Sequence, residues 1–225
     1  MEITPIAHIE NGFKDKFGIP RQSGLVTGLL SEIVFTPSFR NPDALRGIEG
    51  YSHIWLIFGF SASVREGFTP TVRPPRLGGN QKMGVFATRS PFRPNSLGLS
   101  SVKLVEVKWD TPRGAVLVVD GADLLDGTPI YDIKPYLPFA DAHPDATGGF
   151  ANEHIPDALT VDFDRGLCPA FSDTEYVALC EILRQDPRPS YQNDPERVYG
   201  LPYGGYDIRF QVAGDSLTVV AVVKI

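Results

Sequence analysis

The sequence lacks most of the features that would assign the protein to a class at once. Its only two cysteines, Cys168 and Cys180, and its four scattered histidines make no ligand spacing, so we predict neither a disulfide framework nor a metal site. No apolar run approaches the roughly 20 residues that a membrane-spanning helix requires. The first residues also lack the basic start and hydrophobic body of a signal peptide, so we expect a cytoplasmic protein.

The two common nucleotide-binding fingerprints are missing as well. No G-x-G-x-x-G stretch follows a strand and opens a helix, and no G-x-x-x-x-G-K-[ST] stretch occurs. Predicted strands outnumber predicted helices, and their order is not βαβ. We therefore expect a mostly β protein, whose N-terminal domain is a β-barrel-like antiparallel sheet with its functional loops gathered at one rim.

Strand patterns cover much of the chain. The most apolar stretch, residues 52–60, is too short to cross a membrane and too β-rich for a helix, which predicts a strand buried on both faces. The other predicted strands cover residues 2–9, 32–35, 84–88, 102–109, 115–119, 159–163, 207–212 and 217–223.

Two helices carry start signals. Asn41 is expected to cap a brief helix over residues 42–46, and Ser172 with Glu175 forms a capping-box sequence that opens a helix ending near Arg184. Small polar residues from Ala140 to Asn152 indicate a boundary. We predict a barrel domain over residues 1–145 and a small α+β domain over residues 146–225.

Basic residues concentrate in one segment of an otherwise acidic protein. The net charge is −6, yet residues 65–93 contain a single acid, Glu66, against six basic residues. These are Arg65, Arg73, Arg76, Lys82, Arg89 and Arg93. Such a stripe can dock a local run of phosphates, and the alternative is an exposed loop that its charges keep soluble. The proline- and glycine-rich part over residues 61–82 is longer than loops usually are, which favours a functional loop.

The stretch MGVFATRSPFRPNSLGLS, residues 83–100, places Arg89 and Arg93 around Pro91 and Pro94. Proline prevents a regular strand there and stiffens the backbone, so both guanidinium groups are held in place. A guanidinium binds a carboxylate or phosphate through two parallel hydrogen bonds. We therefore predict an anion or nucleotide clamp, with two solvated surface arginines as the alternative.

A second candidate region lies between residues 123 and 136. It contains the acids Asp123, Asp126 and Asp132 and two tyrosines, with a tight turn predicted over residues 126–129. Carboxylates beside aromatic rings suit an amine or a sulfonium cation. Such acidic turns are also common without any ligand.

Four successive blocks of the sequence resemble one known family. The blocks are FKDKFGIPRQSGLV, RGIEGYSHIWLIFGF, RPPRLGGNQKMGVFATRSPFRPNSLGLS and DLLDGTPIYDIKPYLPFAD. They are similar to those of the TsaA/TrmO-like (YaeB-type) tRNA methyltransferases. That family uses S-adenosylmethionine to methylate N6-threonylcarbamoyladenosine, the modified base beside the anticodon. The resemblance covers about residues 5–145 and is less distinctive beyond them.

The resemblance implies a methyltransferase without a Rossmann fold, in which a β-barrel binds the cofactor and a homodimer completes the site. It also implies which residues contact S-adenosylmethionine. Carried over to this sequence, these are Arg21, Gln22, Ser23, Phe60, Ser61, Arg89, Leu99, Asp126, Gly127, Thr128 and Pro129.

These implications lead to hypotheses about individual roles. Asp126 and neighbouring carbonyls would hold the cofactor, while Arg89 and Arg93 would position its carboxylate or that of the substrate. Asp132 and His53 are the candidates for a general base. The remaining basic residues, together with Arg93, would bind the tRNA anticodon stem-loop; they are Arg65, Arg73, Arg76 and Lys82.

Two other functions stay open from the sequence. The same clamp could belong to a non-catalytic module that binds a nucleotide or RNA. A hydrolase could use Ser90 or Ser96 with His53 and Asp132, although no G-x-S-x-G elbow is present.

Overall fold

The structure is a computed structural model that describes residues 2–63, 67–74, 77, 81–153, 158–188, 192 and 194–225. Two of the predicted RNA-binding residues, Arg65 and Arg76, lie outside these ranges. The prediction of a mostly β protein with a small α+β C-terminal part is confirmed. No helix within the described ranges is long and apolar enough to cross a membrane.

The described residues form twelve strands and three short α-helices. The strands are β1 Ala7–Glu10, β2 Ser31–Phe35, β3 His53–Gly59, β4 Thr71–Val72, β5 Met83–Gly84, β6 Leu97–Lys108, β7 Val116–Asp120, β8 Pro129–Pro135, β9 Thr160–Asp162, β10 Tyr199–Tyr203, β11 Tyr206–Ala213 and β12 Ser216–Lys224. The helices are α1 Pro138–Asp141, α2 Phe150–Glu153 and α3 Asp173–Arg184.

Six strands close into an antiparallel barrel in the order β1-β2-β7-β6-β3-β8, and β8 pairs back onto β1. The prediction that β3 is buried on both faces is wrong. Ile54, Leu56 and Phe58 point into the barrel core, whereas Trp55 and Ile57 are half-buried on its outer face. In a closed barrel only one face of each strand is turned toward the interior. The side chains of β3 therefore alternate between the buried inner face and the outer face, as in the neighbouring strands, although its sequence is apolar.

The loops after β1, β3 and β7 meet at one rim of the barrel. Their backbones are joined by hydrogen bonds from Gly24 N to Gly121 O (2.9 Å) and from Asp126 N to Phe13 O (2.9 Å). The long loop after β3 is tied to its own far end, because Phe60 N donates to Ser96 O at 2.8 Å. The antiparallel topology therefore agrees with the predicted gathering of these loops.

The predicted strand over residues 84–88 is wrong. Only Met83 and Gly84 form a strand, paired with β4 in a two-stranded ribbon, and Val85–Ala87 is a 3₁₀ turn. The Thr88 amide and hydroxyl both donate to the Val85 carbonyl, at 3.2 and 2.9 Å. These local hydrogen bonds take the place of a strand ladder.

The C-terminal part is a four-stranded sheet, ordered β10-β11-β12-β9, that packs against α3. The predicted hairpin of β11 and β12 is confirmed, and so is the capping box of α3, in which Ser172 and Glu175 bond reciprocally. Asn41 also caps a short helix as predicted, a 3₁₀ turn over Pro42–Leu45.

The second hydrophobic core includes residues from both ends of the chain. Phe13, Val26 and Leu29, from the loop after β1, are buried with the C-terminal strands and α3. Gly12 is required here, because a Cβ atom at that position would lie 2.4 Å from the ring of Tyr203. The two parts are therefore packed together, and the domain boundary at residue 145 stays a prediction.

Candidate active site

A small cavity of about 190 Å³ lies at the rim where β3 ends. Its walls are mainly apolar, and they include the predicted cofactor residues Phe60, Ser61 and Thr128. Asp123 is the one carboxylate among the described residues that line it.

Asp123 is held in a fixed orientation by a buried partner. The hydroxyl of Ser100, on the inner face of β6, donates to Asp123 Oδ1 at 2.6 Å. Burial raises the pKa of Asp123, while hydrogen bonds from Ser100 and the Ser23 backbone and the nearby Arg89 guanidinium oppose the rise. A half-buried carboxylate in an apolar cavity favours a cationic ligand.

A cleft of about 1640 Å³ adjoins the small cavity, and the two share Lys16, Ile19, Ser63 and Pro91 as lining residues. Seven basic residues line the cleft, and the described part of its lining contains no Asp or Glu. The seven are Lys16, Arg21, Arg73, Lys82, Arg89, Arg93 and Arg188. In a protein of net charge −6, such segregation makes the cleft a site for anions.

The arginine loop, residues 85–96, is rigid for reasons beyond its prolines. Ser90 N donates to Thr88 Oγ1 at 3.3 Å, and Phe92 N donates to Ser90 Oγ at 3.2 Å. Arg93 turns back onto the loop, where its Nη1 donates to the carbonyls of Val85 (3.2 Å) and Thr88 (2.8 Å). Arg93 therefore braces the loop, which the prediction of two equivalent clamp arginines did not anticipate.

Arg89 points the other way and joins two of the predicted cofactor segments. It is exposed, and its Nη1 donates to Oε1 of Gln22 in the loop after β1. Arg21 in that loop donates from Nη2 to the carbonyl of Asp186 at 2.9 Å. The structure thus brings Arg21, Gln22, Ser23, Arg89 and the end of β3 to one place.

The turn over residues 126–129 holds the rim together. Gly127 has a φ of +74°, which glycine adopts without strain, and its N–H donates to Ile9 O at 2.8 Å. Asp126 accepts from Asn11 N at 2.9 Å and pairs with Lys14 Nζ at 2.6 Å. Only Thr128 of this turn is among the described residues lining the small cavity, and Pro129 begins β8. Cofactor contacts by Asp126, Gly127 and Pro129 stay predictions.

Three predicted site residues lie elsewhere. His53 begins β3, about 20 Å from the rim at six strand steps, and bonds to Ser52 Oγ. Asp132 lies beside Ile57 on the outer face of the barrel and pairs with Lys134 at 2.9 Å. Leu99, on the same face, is 57% exposed. None of the three is among the described residues lining either cavity.

These positions disfavour the hydrolase alternative. Ser90 and Ser96 line the cleft, but His53 lies at the opposite rim and Asp132 on the outer face. A nucleophilic serine needs its base within hydrogen-bond reach. The part of the chain that the structure describes also holds no group of three or more His, Cys, Asp or Glu side chains placed for a metal ion.

Sequence reasoning missed four residues that the structure places at the site. Asp123 was grouped with two similar acids, and only its burial distinguishes it. Lys16 lies in both cavities, and Phe86 projects into the cleft from a predicted strand that does not form. Arg188 reaches the cleft from beyond α3, nine-tenths buried and paired with Asp186 at 2.8 Å. In the sequence, Arg188 lies in the proline-rich stretch DPRPSY, where the family resemblance of the C-terminal part is weak.

Comparisons with known proteins agree with this architecture. Residues 8–142 match the family model of the tRNA-methyltransferase O N-terminal domain, and residues 172–225 match that of the TrmO C-terminal domain. The Escherichia coli protein named tRNA (adenine(37)-N6)-methyltransferase is 40% identical over 229 residues, which cover 98% of this chain and 97% of that protein.

A sequence and a crystal structure from Pseudomonas aeruginosa extend the comparison. One, whose name assigns it provisionally to the S-adenosylmethionine-dependent methyltransferases, is 39% identical over 92% of this chain and 91% of its own length. The crystal structure of TrmO from that organism superposes with a TM-score of 0.77 at 34% identity, covering 100% of this chain and 97% of that one. The predicted family is confirmed, and the chain belongs to the tRNA-methyltransferase O family.

Proposed function

We propose that this protein transfers a methyl group from S-adenosylmethionine to N6 of threonylcarbamoyladenosine beside the anticodon of tRNA. The observation that carries the proposal is the pairing of two adjoining cavities of different character. One is mainly apolar with a half-buried carboxylate, and the other is lined by seven cations, of which Lys16 belongs to both. The first suits a sulfonium group, and the second suits a polyanion.

The lining residues fit S-adenosylmethionine. The small cavity alone, at about 190 Å³, is below the roughly 300 Å³ at which ligand pockets begin, so the cofactor would extend from it into the cleft. Asp123 would face the cationic part, with Phe58 and Phe60 against its apolar surface. Lys16, which lines both cavities, and Arg89, which lines the cleft near enough to Asp123 to affect its pKa, would bind the carboxylate.

When bound, the cofactor supplies a methyl group on a positively charged sulfur, which a nucleophile displaces in line. The protein's task is to align donor and acceptor and to keep water out. The braced arginine loop and the Gln22–Arg89 contact hold the walls of the site in a fixed geometry. The single carboxylate among the described residues of the small cavity is assigned to binding the cation rather than to removing a proton.

RNA would lie along the cleft. The barrel domain, which we place at residues 1–145, supplies Arg73, Lys82 and Arg93 on one wall. The smaller domain, at residues 146–225, supplies Arg188 on the other. Such a protein would act in the cytoplasm, where tRNA is modified.

A homodimer would account for Leu99. This side chain and Leu97 are exposed side by side on β6 at the site rim, where a second copy could cover them. Leu99 would then meet the cofactor bound by the partner, and Asp132, on the same outer face, would approach the partner's site. Light scattering would test this: the wild type should be a dimer and Leu99→Glu a monomer, whereas a monomeric wild type would refute it.

The decisive experiment combines two measurements. Calorimetric titration with S-adenosylmethionine should show binding, and the labelled methyl group should then appear in threonylcarbamoylated tRNA but not in tRNA without that modification. RNA binding without any cofactor affinity would instead support the non-catalytic binding module. The related proteins named as methyltransferases support the first outcome.

A further inference from the structure

The ring of Phe86 stands exposed in the lining of the cleft, and the exposed ring of Phe68 lies beside it. Phe86 is 72% exposed and Phe68 is 52% exposed, and their ring centroids lie 6.1 Å apart with planes inclined by only 23°. Single exposed apolar residues are ordinary on protein surfaces. Two large, nearly parallel rings beside one another, one of them lining a strongly cationic cleft, suit a ligand that is both flat and anionic.

The support under Phe86 is rigid. Its neighbour Val85 is buried, and the Val85 carbonyl accepts from Thr88 Oγ1 and from Arg93 Nη1. The Arg93 guanidinium carbon lies 5.7 Å from the centroid of the Phe86 ring, within the range of a cation–π contact. A ring fixed in this way loses little conformational freedom when a ligand stacks on it.

The charge around these rings selects the ligand. Arg73, Lys82 and Arg89 line the same cleft as Phe86, and its described lining carries no acidic residue. A second copy presenting the same surface would be repelled by like charge. Unpaired nucleotides combine an aromatic base with a phosphate, and proteins bind them through aromatic rings set in basic grooves.

We propose that Phe86 is the platform on which one unpaired base of the RNA substrate stacks, with Phe68 flanking it and the cleft cations binding the adjacent phosphates. The inference rests on the proposed RNA substrate and adds a requirement to it. The protein would select RNA with an unpaired loop over a continuous duplex, because only splayed bases reach the rings.

The test compares two RNAs and four variants. The RNAs are a tRNA anticodon stem-loop and a fully paired duplex of the same length, with affinities measured over a series of salt concentrations. Phe86→Ala and Phe86→Leu should weaken stem-loop binding about tenfold or more, and Phe86→Trp should retain it. The salt slope should not change, since no charge is removed. Phe139→Ala is the matched control, because Phe139 is also exposed but is not among the described residues lining the cleft.

Several outcomes would overturn the inference. If Phe86→Leu binds the stem-loop as well as the wild type does, the ring serves no stacking role. If stem-loop and duplex binding fall equally in Phe86→Ala, no unpaired base is involved. Unchanged S-adenosylmethionine binding and melting temperature in each variant would show that the fold is intact. A wild type that binds neither RNA would refute the proposed function itself, whereas full methylation and binding by Phe86→Ala would refute only the stacking platform.

Discussion

The small cavity and the cleft share a wall at one rim of the barrel, but their electrostatic characters differ. The cavity surrounds the half-buried Asp123 mainly with apolar side chains and shares Lys16 with the cleft, whereas the cleft collects seven cations from loops on both sides. A site with a carboxylate beside a site rich in cations can bind a cationic donor and an anionic acceptor next to each other, each in its own place. The difference indicates a site for a two-substrate reaction rather than for a single nucleotide.

The largest effect is expected at Arg89, which lines the cleft and lies close enough to Asp123 in the small cavity to affect its pKa. Arg89→Glu would place a carboxylate where an anion should bind and would break the contact with Gln22. Losing and reversing such a charged contact costs about 3 kcal/mol or more, so methyl transfer should fall at least about 100-fold. Initial rates with saturating tRNA would measure the loss.

The control for this variant is Arg46→Glu. Arg46 is also exposed and pairs with Asp43 in the short helix capped by Asn41, and it is not among the described residues lining either cavity. It should keep full activity. If Arg89→Glu also kept full activity with an unchanged melting temperature, the arginine would have no part in the site.

Cofactor binding in the small cavity is expected to depend on Asp123. Asp123→Asn keeps an acceptor for the Ser100 hydroxyl but removes the charge that should face the cation. We expect S-adenosylmethionine to bind about tenfold more weakly or worse, as measured by calorimetry. Asp110→Asn is the matched control, since Asp110 is exposed just after β6 and is not among the described residues lining either cavity, and it should bind the cofactor normally.

The same variant should alter how stability depends on pH. Burial raises the pKa of Asp123 in the folded protein, so the fold favours the protonated carboxyl. The contribution of Asp123 to the free energy of unfolding is full below the pKa that this carboxyl has in the unfolded chain. It is lost as the pH rises from there through the raised pKa of the folded protein. At neutral pH, Asp123→Asn should therefore melt at the same temperature as the wild type or higher. A lower melting temperature would show that the carboxylate is stabilised in its charged form.

The smallest effect is expected from the cleft's outer cations. Arg73 and Lys82 are exposed, so each would contribute one phosphate contact with little loss of stability when removed. The double variant Arg73→Ala, Lys82→Ala should flatten the plot of log affinity against log salt by about 0.7 to 0.9 per lost contact. Cofactor affinity should not change. An unaltered slope would mean that this part of the basic stripe is ordinary solvated surface.

Several local features could be predicted from sequence because neighbouring residues produce them. The capping box at Ser172 forms within four residues, and the prolines of the arginine loop act on their own backbone. The strand predicted over residues 84–88 does not form, because a strand depends on a partner that is distant in the sequence. Its β-type sequence had no long partner strand beside it, so Thr88 closed a 3₁₀ turn instead and left Phe86 exposed.

The candidate site was predicted in part. The resemblance pointed to Phe60, Ser61, Arg89 and the loop at Arg21, and the structure brings these segments together at the rim. The resemblance named Asp126 and not Asp123, and the sequence shows both only as acids in the same turn region. In the structure the two differ, because Asp123 accepts a hydrogen bond from the buried Ser100 hydroxyl whereas Asp126 forms an ion pair with Lys14.

By itself, the sequence determined a β-rich chain, a capped C-terminal helix, a stiff loop with two arginines and a basic stripe on an acidic protein, because each depends on the order of nearby residues. Tertiary structure alone decided which carboxylate is buried, which arginine braces its loop and which faces the site, and that His53 lies at the far rim. Those outcomes depend on the closing of the barrel, which brings the loop after β1, the arginine loop and the segment after β7 against one another across large separations in the chain.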